Sequence, residues 1–305
     1  MNGVINVYKE AGFTSHDVVA KLRGIVKQKK IGHTGTLDPD AEGVLPVCLG
    51  NATKLCGLLT EKEKTYRAVL LLGQTTDTQD TSGRVLTEAP VTATGEQVRE
   101  AIMSFLGDYD QVPPMYSALK VNGKKLYELA REGKEVERQA RRVRILDMEI
   151  HEIRLPEVTF TVTCSSGTYI RTLCQDIGEK LGCGGCMKSL LRTKVDRFEL
   201  ADSHKLSELE AMMHEGRIEE VLLPVDDVFA ACPAVCIRQE SDRLIQNGNP
   251  FGKEDIAETT GERPPEGTEL ERNCVRVYNS EGDFRGLYRR EQGGRRYKPE
   301  KMFLS

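Results

Sequence analysis

The stretch EVTFTVTC, 157–164, followed at once by SSGTYIRTLCQDIGEKLG, constrains the fold more than any other part of the chain. Val158, Phe160, Val162 and Cys164 alternate with Thr159, Thr161 and Thr163, the period of a strand with one face buried. A few residues later the period changes. Ile170, Leu173, Cys174, Ile177 and Leu181 recur at helical spacing, and Gly182 stands where a C-cap glycine is favoured. The spacing predicts a strand running straight into a helix, so the chain must combine sheet and helix.

The same reasoning orders the rest. GVINVY, 3–8, reads as a first strand. Thr14 and Asp17 fit a capping box for a helix over about 15–28, with Val18, Val19, Leu22, Ile25 and Val26 on one face. GHTGTLDPDAEGVLP, 32–46, holds three glycines and two prolines and reads as an ordered loop, with Leu37, Val44 and Leu45 too sparse for a core element. Asn51 is placed to cap a short helix through Leu58. YRAVLLL, 66–72, has a buried-strand pattern. The polar segment 73–85 reads as a connection, 95–106 as an amphipathic helix, and 109–136 as an excursion too polar for core with a short helix near 124–131. Strands are expected over 142–153 and 189–200, and an acidic helical stretch over 205–223. Beyond Pro224, short apolar runs at 234–237, 274–278 and 284–288 alternate with polar stretches, the longest 247–268. That pattern predicts a small β-rich module of about 75 residues.

Length and composition set the outer limits. A chain of 305 residues accommodates one large domain and a small one, and no apolar run approaches a membrane span. The N-terminus carries no secretory pattern, so a cytoplasmic location is expected. Nine scattered cysteines read as reduced, mostly buried thiols, and Cys183 with Cys186 lacks a second close ligand pair, so no metal is expected. The net charge of −4 argues against a generic nucleic-acid binder. Basic residues nevertheless cluster at Lys27, Lys29 and Lys30, at Arg138, Arg141, Arg142 and Arg144, and at Arg285, Arg289, Arg290, Arg295 and Arg296. Acid collects in 208–227 and 254–271. Basic clusters meeting on one surface would form a phosphate-binding track.

Two places could carry chemistry. Asp38 and Asp40 flank Pro39 in the glycine-rich loop and admit three readings: a plain turn, a carboxylate pair for a divalent cation or phosphoaspartate, or a single nucleophile held ionised by a cation. The loop lacks the GK[ST] ending of a P-loop, which disfavours nucleotide hydrolysis. Arg171 falls in the first turn of its helix, where the dipole opposes a cation; unless it lies at the surface it needs an anionic partner. Tyr66 heads a strand, where a flat ring could pack or stack on a base. His33 shares the loop with Asp38 but is five residues away.

GHTGTLDPDAEGVLP, KTYRAVLLLG at 64–73, QVPPMYSALKVNGKKLYELAREG at 111–133, SSGTYIRTLCQDIG at 165–178 and YKPEKMFL at 297–304 together resemble the TruB family of pseudouridine synthases, bacterial enzymes that modify uridine 55 in the tRNA T arm. The five motifs are co-linear and span almost the whole chain. The resemblance implies an α+β fold: a catalytic domain, 1–223, around a largely antiparallel mixed sheet with an RNA-binding insertion at about 109–136, then a small β-rich PUA domain, 224–305. It implies Asp38 as the catalytic carboxylate, Arg171 as its partner, Tyr66 as the ring that stacks on the target uracil and Leu190 as apolar support for the pocket. His33 would help hold the flipped-out RNA, and Lys9 would lie near the cleft as a substrate-binding residue.

The implied reaction needs no metal, redox change or nucleotide cofactor. Uracil leaves the stack, Asp38 attacks at C1′ or assists departure of the base, the base turns, and C5 rejoins the sugar. The partner is the tRNA T-arm stem-loop, and a monomer is expected. A rival reading is a non-catalytic tRNA-binding or folding protein that keeps the fold. A metal-dependent phosphotransferase using Asp38 and Asp40 is a third. The chain departs from the family pattern at Glu10, where a proline is usual, at Leu191, where an arginine is, and at Asp196, where a glycine is; the last puts the turn there in question.

Overall fold

The computed structural model describes residues 1–121, 123–261, 273–291 and 295–304. Eight strands form the path of a ten-stranded sheet: β1 (Gly3–Lys9), β2 (Glu42–Leu49), β3 (Lys64–Leu72), β4 (Gly107–Gln111), β5 (Arg141–Arg154), β6 (Glu157–Cys164), β7 (Gly185–Val195) and β8 (Leu222–Leu223). Their order is β8-β1-β2-β7-β3-β6-β5-β4, antiparallel except where β2 meets β7. The alternation in β6 is realised: Val158, Phe160, Val162 and Cys164 are buried while the threonines between them are half-exposed. Their face packs on α3 (Ile170–Lys180), through Leu173, Cys174 and Ile177, and on α2 (Gly95–Met103), through Val98 and Ile102.

Across β1 and β2, α1 (Ser15–Val26) and α4 (Leu206–His214) bury Val18, Leu22 and Leu209 against Ile5, Val7, Leu45 and Val47. The capping box of α1 is present. The C-terminal module is a second sheet of six strands: β9 (Ala234–Ile237), β10 (Phe251–Gly252), β11 (Ile256–Thr260), β12 (Cys274–Tyr278), β13 (Phe284–Arg290) and β14 (Arg296–Met302). One apolar cluster joins the two modules, with Val4, Val44 and Leu55 from the first and Cys274, Leu287 and Phe303 from the second.

Several expectations need correction. The segment 32–46 is not all loop. Its end is β2, whose Val44 and Leu45 are fully buried core, and its start belongs to a short strand, Ile31–His33, paired with β2. The loop proper is 34–41. Pro46 explains the break: Thr34 N–H donates to the Pro46 carbonyl at 3.2 Å, but Pro46 has no N–H to return, so the ladder ends and the chain departs. Asn51 does not cap a helix. Its backbone enters a 3-10 turn, Gly50–Leu55, and its side-chain amide donates to the Phe303 carbonyl of the second module. The region 107–111 at the base of the excursion is an edge strand, and β7 starts at 185 rather than 189. The stretch 205–223 is helical only over α4, then turns through Ile218–Val221 into β8. The connection 73–85 contains a short strand, Gln74–Thr76, that pairs with Val85–Glu88. Of the polar stretch 247–268, residues beyond 261 lie outside the described residues, as does most of the acidic 254–271.

Seven of the nine cysteines are buried. Asp196 stands at φ 52, so the turn keeps the left-handed conformation a glycine would supply, and its carboxylate lies 3.6 Å from Lys62 Nζ. Several arginines of the expected basic clusters already face acids. Arg142 bonds Asp110 at 3.2 Å, Arg144 lies 3.9 Å from Asp108, and Arg289 bonds Glu300 at 2.9 Å. Exposed pairs of this kind are worth little, so a phosphate can displace them.

The loop 34–41 is held from three sides. Lys9, fully buried at the end of β1, donates from Nζ to the carbonyls of Ala41 at 2.6 Å, Pro39 at 2.8 Å and Glu10 at 3.3 Å. Ser15 Oγ, at the start of α1, accepts from Leu37 N–H at 2.9 Å. Gly12 N–H donates to the Pro39 carbonyl at 3.0 Å. At the loop's exit Gly43 has φ 105 and abuts β7 so closely that a Cβ would sit 2.2 Å from the Arg192 carbonyl oxygen.

Two predictions test this frame. Gly43→Ala should destabilise the chain by about 3 kcal/mol or more in urea unfolding, since both the left-handed φ and the backbone contact forbid a side chain. Burial pushes the Lys9 ammonium down to about 8, against the pull of Asp38, Glu42 and Asp40. Between that value and the ordinary lysine value the unfolded chain binds the extra proton, so this group makes stability rise with pH. Lys9→Met lacks that contribution, and the stability gap between wild type and mutant should widen from pH 8 to pH 10.

Candidate active site

Arg171 is where the fold brings its distant segments together. It is 5% exposed, one residue into α3. Its Nε lies 2.9 Å from Asp38 Oδ2 and its Nη2 donates to Asp38 Oδ1 at 3.1 Å, a two-toothed fork on one carboxylate. Nη1 donates to the Thr78 carbonyl at 2.9 Å, and Nη2 also to the Tyr116 carbonyl at 2.8 Å. Asp80 stands behind, 3.9 Å from Nε. The guanidinium therefore ties together the 34–41 loop, the 77–83 loop and the excursion. Asp38 is far more open than its partner, with a side chain 37% exposed, so one face of the carboxylate looks out of the fold.

Asp38 opens a tight turn in which Ala41 N–H donates back to its carbonyl at 3.2 Å, with Pro39 at the position where its fixed φ fits. Asp40 is an exposed residue of that turn. Leu37, beside Asp38, plugs into the core with Tyr66 and Leu190. Tyr66 and Leu190 lie on the adjacent strands β3 and β7, at registers Tyr66↔Arg192 and Ala68↔Leu190. Tyr66 is 7% exposed, and burial pushes its phenol up to about 12, with the Arg192 cation pulling it back.

Arg192 went unnoticed in the sequence. It is the largest fully buried side chain, with Nε donating to the Val44 carbonyl at 2.7 Å and Nη2 to the Gly35 carbonyl at 3.2 Å. Its signal was its phase: Leu190 and Arg192 share one face of a strand, so an arginine occupies a core-facing position. Asp80, Thr78, Gln111 and Tyr116 were also missed, and nothing in their local sequence sets them apart from polar connections.

His33 sits at the end of its short strand, half-buried, its Nδ1 accepting from Gly35 N–H at 3.3 Å. Burial, and then the Arg192 cation, hold its imidazole below the usual value, so it is neutral at pH 7. Lys9 differs from expectation. Its Nζ is consumed by three backbone carbonyls inside the fold, which makes it a support of the loop rather than a group that meets substrate.

Chemically, the site offers one half-open carboxylate on a buried guanidinium, an aromatic ring on an apolar floor, and no second carboxylate bound to the same oxygens. Among the described residues no three or more His, Cys, Asp and Glu side chains gather where they could hold a metal ion.

Comparisons with known proteins give the family and the fold. The family model for the TruB family pseudouridylate synthase N-terminal domain matches residues 23–170, and that for the tRNA pseudouridylate synthase B C-terminal domain matches 171–230. A tRNA pseudouridine synthase B from Lachnoclostridium phytofermentans is 53% identical over the full length of both chains. Another from Alkaliphilus oremlandii is 46% identical over 97% of this chain and 96% of its own. Among solved structures, a chain of a Cbf5–Nop10–Gar1 complex superposes with a TM-score of 0.71 at 26% identity, covering 99% of this chain and 85% of that one. A chain of an H/ACA RNP bound to a substrate RNA shares the fold at the same TM-score and 24% identity. The α+β fold is thus that of a pseudouridine synthase with a small β-rich C-terminal domain, and the chain belongs to the TruB family of tRNA pseudouridine synthases, isomerases that convert uridine to pseudouridine in tRNA.

Proposed function

We propose that the chain isomerises uridine 55 in the tRNA T arm, with Asp38 as the group that acts on the sugar. The observation that carries this reading is the fork between Arg171 and Asp38: the cation is buried, while the carboxylate stays half-open. A carboxylate so held is oriented and kept from swinging away, as a nucleophile aimed at C1′ must be.

The target uridine first leaves its stack, at a cost of a few kcal/mol. Its uracil then rests against Tyr66, with Leu190 and Leu37 forming the floor beneath the ring. Asp38 acts at C1′, either bonding to it or offsetting its positive charge as N1 departs. The base turns within the pocket, C5 bonds to C1′ as Asp38 is released from it, the C5 proton is lost and N1 takes up a proton, which completes a carbon–carbon glycoside. Atoms balance without any co-reactant. Stacking on Tyr66 suits the turning step, because a ring face holds a base without fixing its in-plane orientation. Neutral His33, beside the loop, is placed to pack against the distorted RNA. Lys9 acts indirectly, by fixing the backbone on which Asp38 stands.

Residues 1–223 form the catalytic domain and 224–305 a PUA-like RNA-binding domain, working as a monomer in the cytoplasm, where its tRNA substrate is used. The excursion at about 109–136, with Arg138, Arg141, Arg142 and Arg144 beside it, grips the T arm through phosphates and shape. Mapping pseudouridine in an unmodified tRNA transcript tests the assignment. It should appear at position 55 alone, with or without a chelator. Formation elsewhere in the tRNA would refute the position. Loss of activity with chelator would favour metal chemistry, and binding without product would favour a non-catalytic protein.

A further inference from the structure

Gln111 ends the edge strand β4 and is 1% exposed, although it is polar and borders the excursion. Its side-chain amide clamps one residue of another element. Tyr169 N–H donates to Gln111 Oε1 at 2.7 Å, and Gln111 Nε2 donates to the Tyr169 carbonyl at 3.0 Å. The pair imitates a rung of sheet, made by a side chain where no strand can pair. Tyr169 is the N-cap of α3 and provides no side-chain cap of its own.

The place matters because Arg171 lies only two residues further on, in the first turn of α3, which contains no acidic residue. The orphan N–H groups and the positive end of the dipole both act against a cation there. A first turn so loaded tends to fray, and a small rotation of it would carry the guanidinium off the Asp38 fork. Gln111 is the fixed point that opposes this. The same short segment, 111–116, also delivers the Tyr116 carbonyl to Arg171 Nη2 at 2.8 Å.

We propose that Gln111 is a positioning residue for the isomerisation, setting the first turn of α3 so that Arg171 meets Asp38 while the excursion engages RNA. This inference rests on the isomerase reading. Gln111 touches no reacting atom; it works through Tyr169 and Arg171. A neighbouring contact on the same strand provides the control. Tyr109 OH donates to Asp176 Oδ2 farther along α3 and accepts a longer hydrogen bond from Gln111 Nε2 at 3.5 Å, so Tyr109→Phe loosens β4 from that helix while leaving both Gln111–Tyr169 hydrogen bonds in place.

The test is tritium release from uracil C5 of a T-arm stem-loop, with kcat and KM measured separately for wild type, Gln111→Met and Tyr109→Phe. Gln111→Met keeps the side chain's length and removes both hydrogen bonds to Tyr169 together with the longer one to Tyr109. Its kcat should fall about 10- to 100-fold, the cost of a slightly misplaced group, with KM within about 2-fold of wild type. Tyr109→Phe should keep kcat within about 3-fold even where its melting temperature falls as far. Equal kcat for Gln111→Met and wild type overturns the proposal, as does a loss confined to KM or an equal kcat loss in Tyr109→Phe. If Gln111→Met does not fold, Gln111→Glu keeps an acceptor for Tyr169 N–H, loses the donor to the Tyr169 carbonyl and adds a negative charge; its kcat should still be reduced, and an undiminished kcat overturns the proposal. Absence of tritium release from the wild type would instead remove the isomerase reading itself.

Discussion

A buried guanidinium in the first turn of a helix is expensive, and much of this structure is arranged around meeting that cost. Desolvation and the helix dipole both oppose Arg171. Asp38 forks onto it, Asp80 stands behind it, and the carbonyls of Thr78 and Tyr116 take its remaining donors. Those partners come from 55 to 133 residues away in the chain. Arg171 can be buried only when the loop, the 77–83 segment and the excursion are all in place, so an ordered Asp38 carboxylate and an ordered excursion are one structural condition.

The second constraint is the single parallel contact along the main path of the large sheet, between β2 and β7. It brings Arg192 against Val44 and Gly35 and sets Tyr66 beside it. Gly43 makes that approach possible, and Pro46 frees the chain into the loop. The carbonyls of Pro39 and Ala41, bonded to Lys9 Nζ, then fix the loop's far side. The loop is thus held through its backbone hydrogen bonds, while the Asp38 side chain is left half-open.

Much of this was legible in the sequence where period and burial coincide. The alternation of β6 and the helical face of α3 could be read directly, since each buries one face. Asp38, Tyr66 and Arg171 stood out as candidates, but only the family resemblance linked them. The features that stayed hidden are set by long-range packing. β2 reads as loop because its glycine and proline serve neighbours far away in sequence, a role no local propensity records. Asn51 resembles a helix cap, yet its amide is taken by Phe303 in the other module. Gln111 resembles any polar residue of a surface excursion until Tyr169 is placed beside it.

The central claim is that one carboxylate of the Asp-Pro-Asp turn does the chemistry and the other only shapes the turn. Comparing Asp38→Asn with Asp40→Asn for tritium release from a T-arm stem-loop tests it most directly, because both substitutions remove one charge two residues apart. The account predicts that Asp38→Asn still binds the RNA but releases tritium only at background, while Asp40→Asn stays near wild type. Release by Asp38→Asn at the wild-type rate, or an equal loss in both variants, would contradict it.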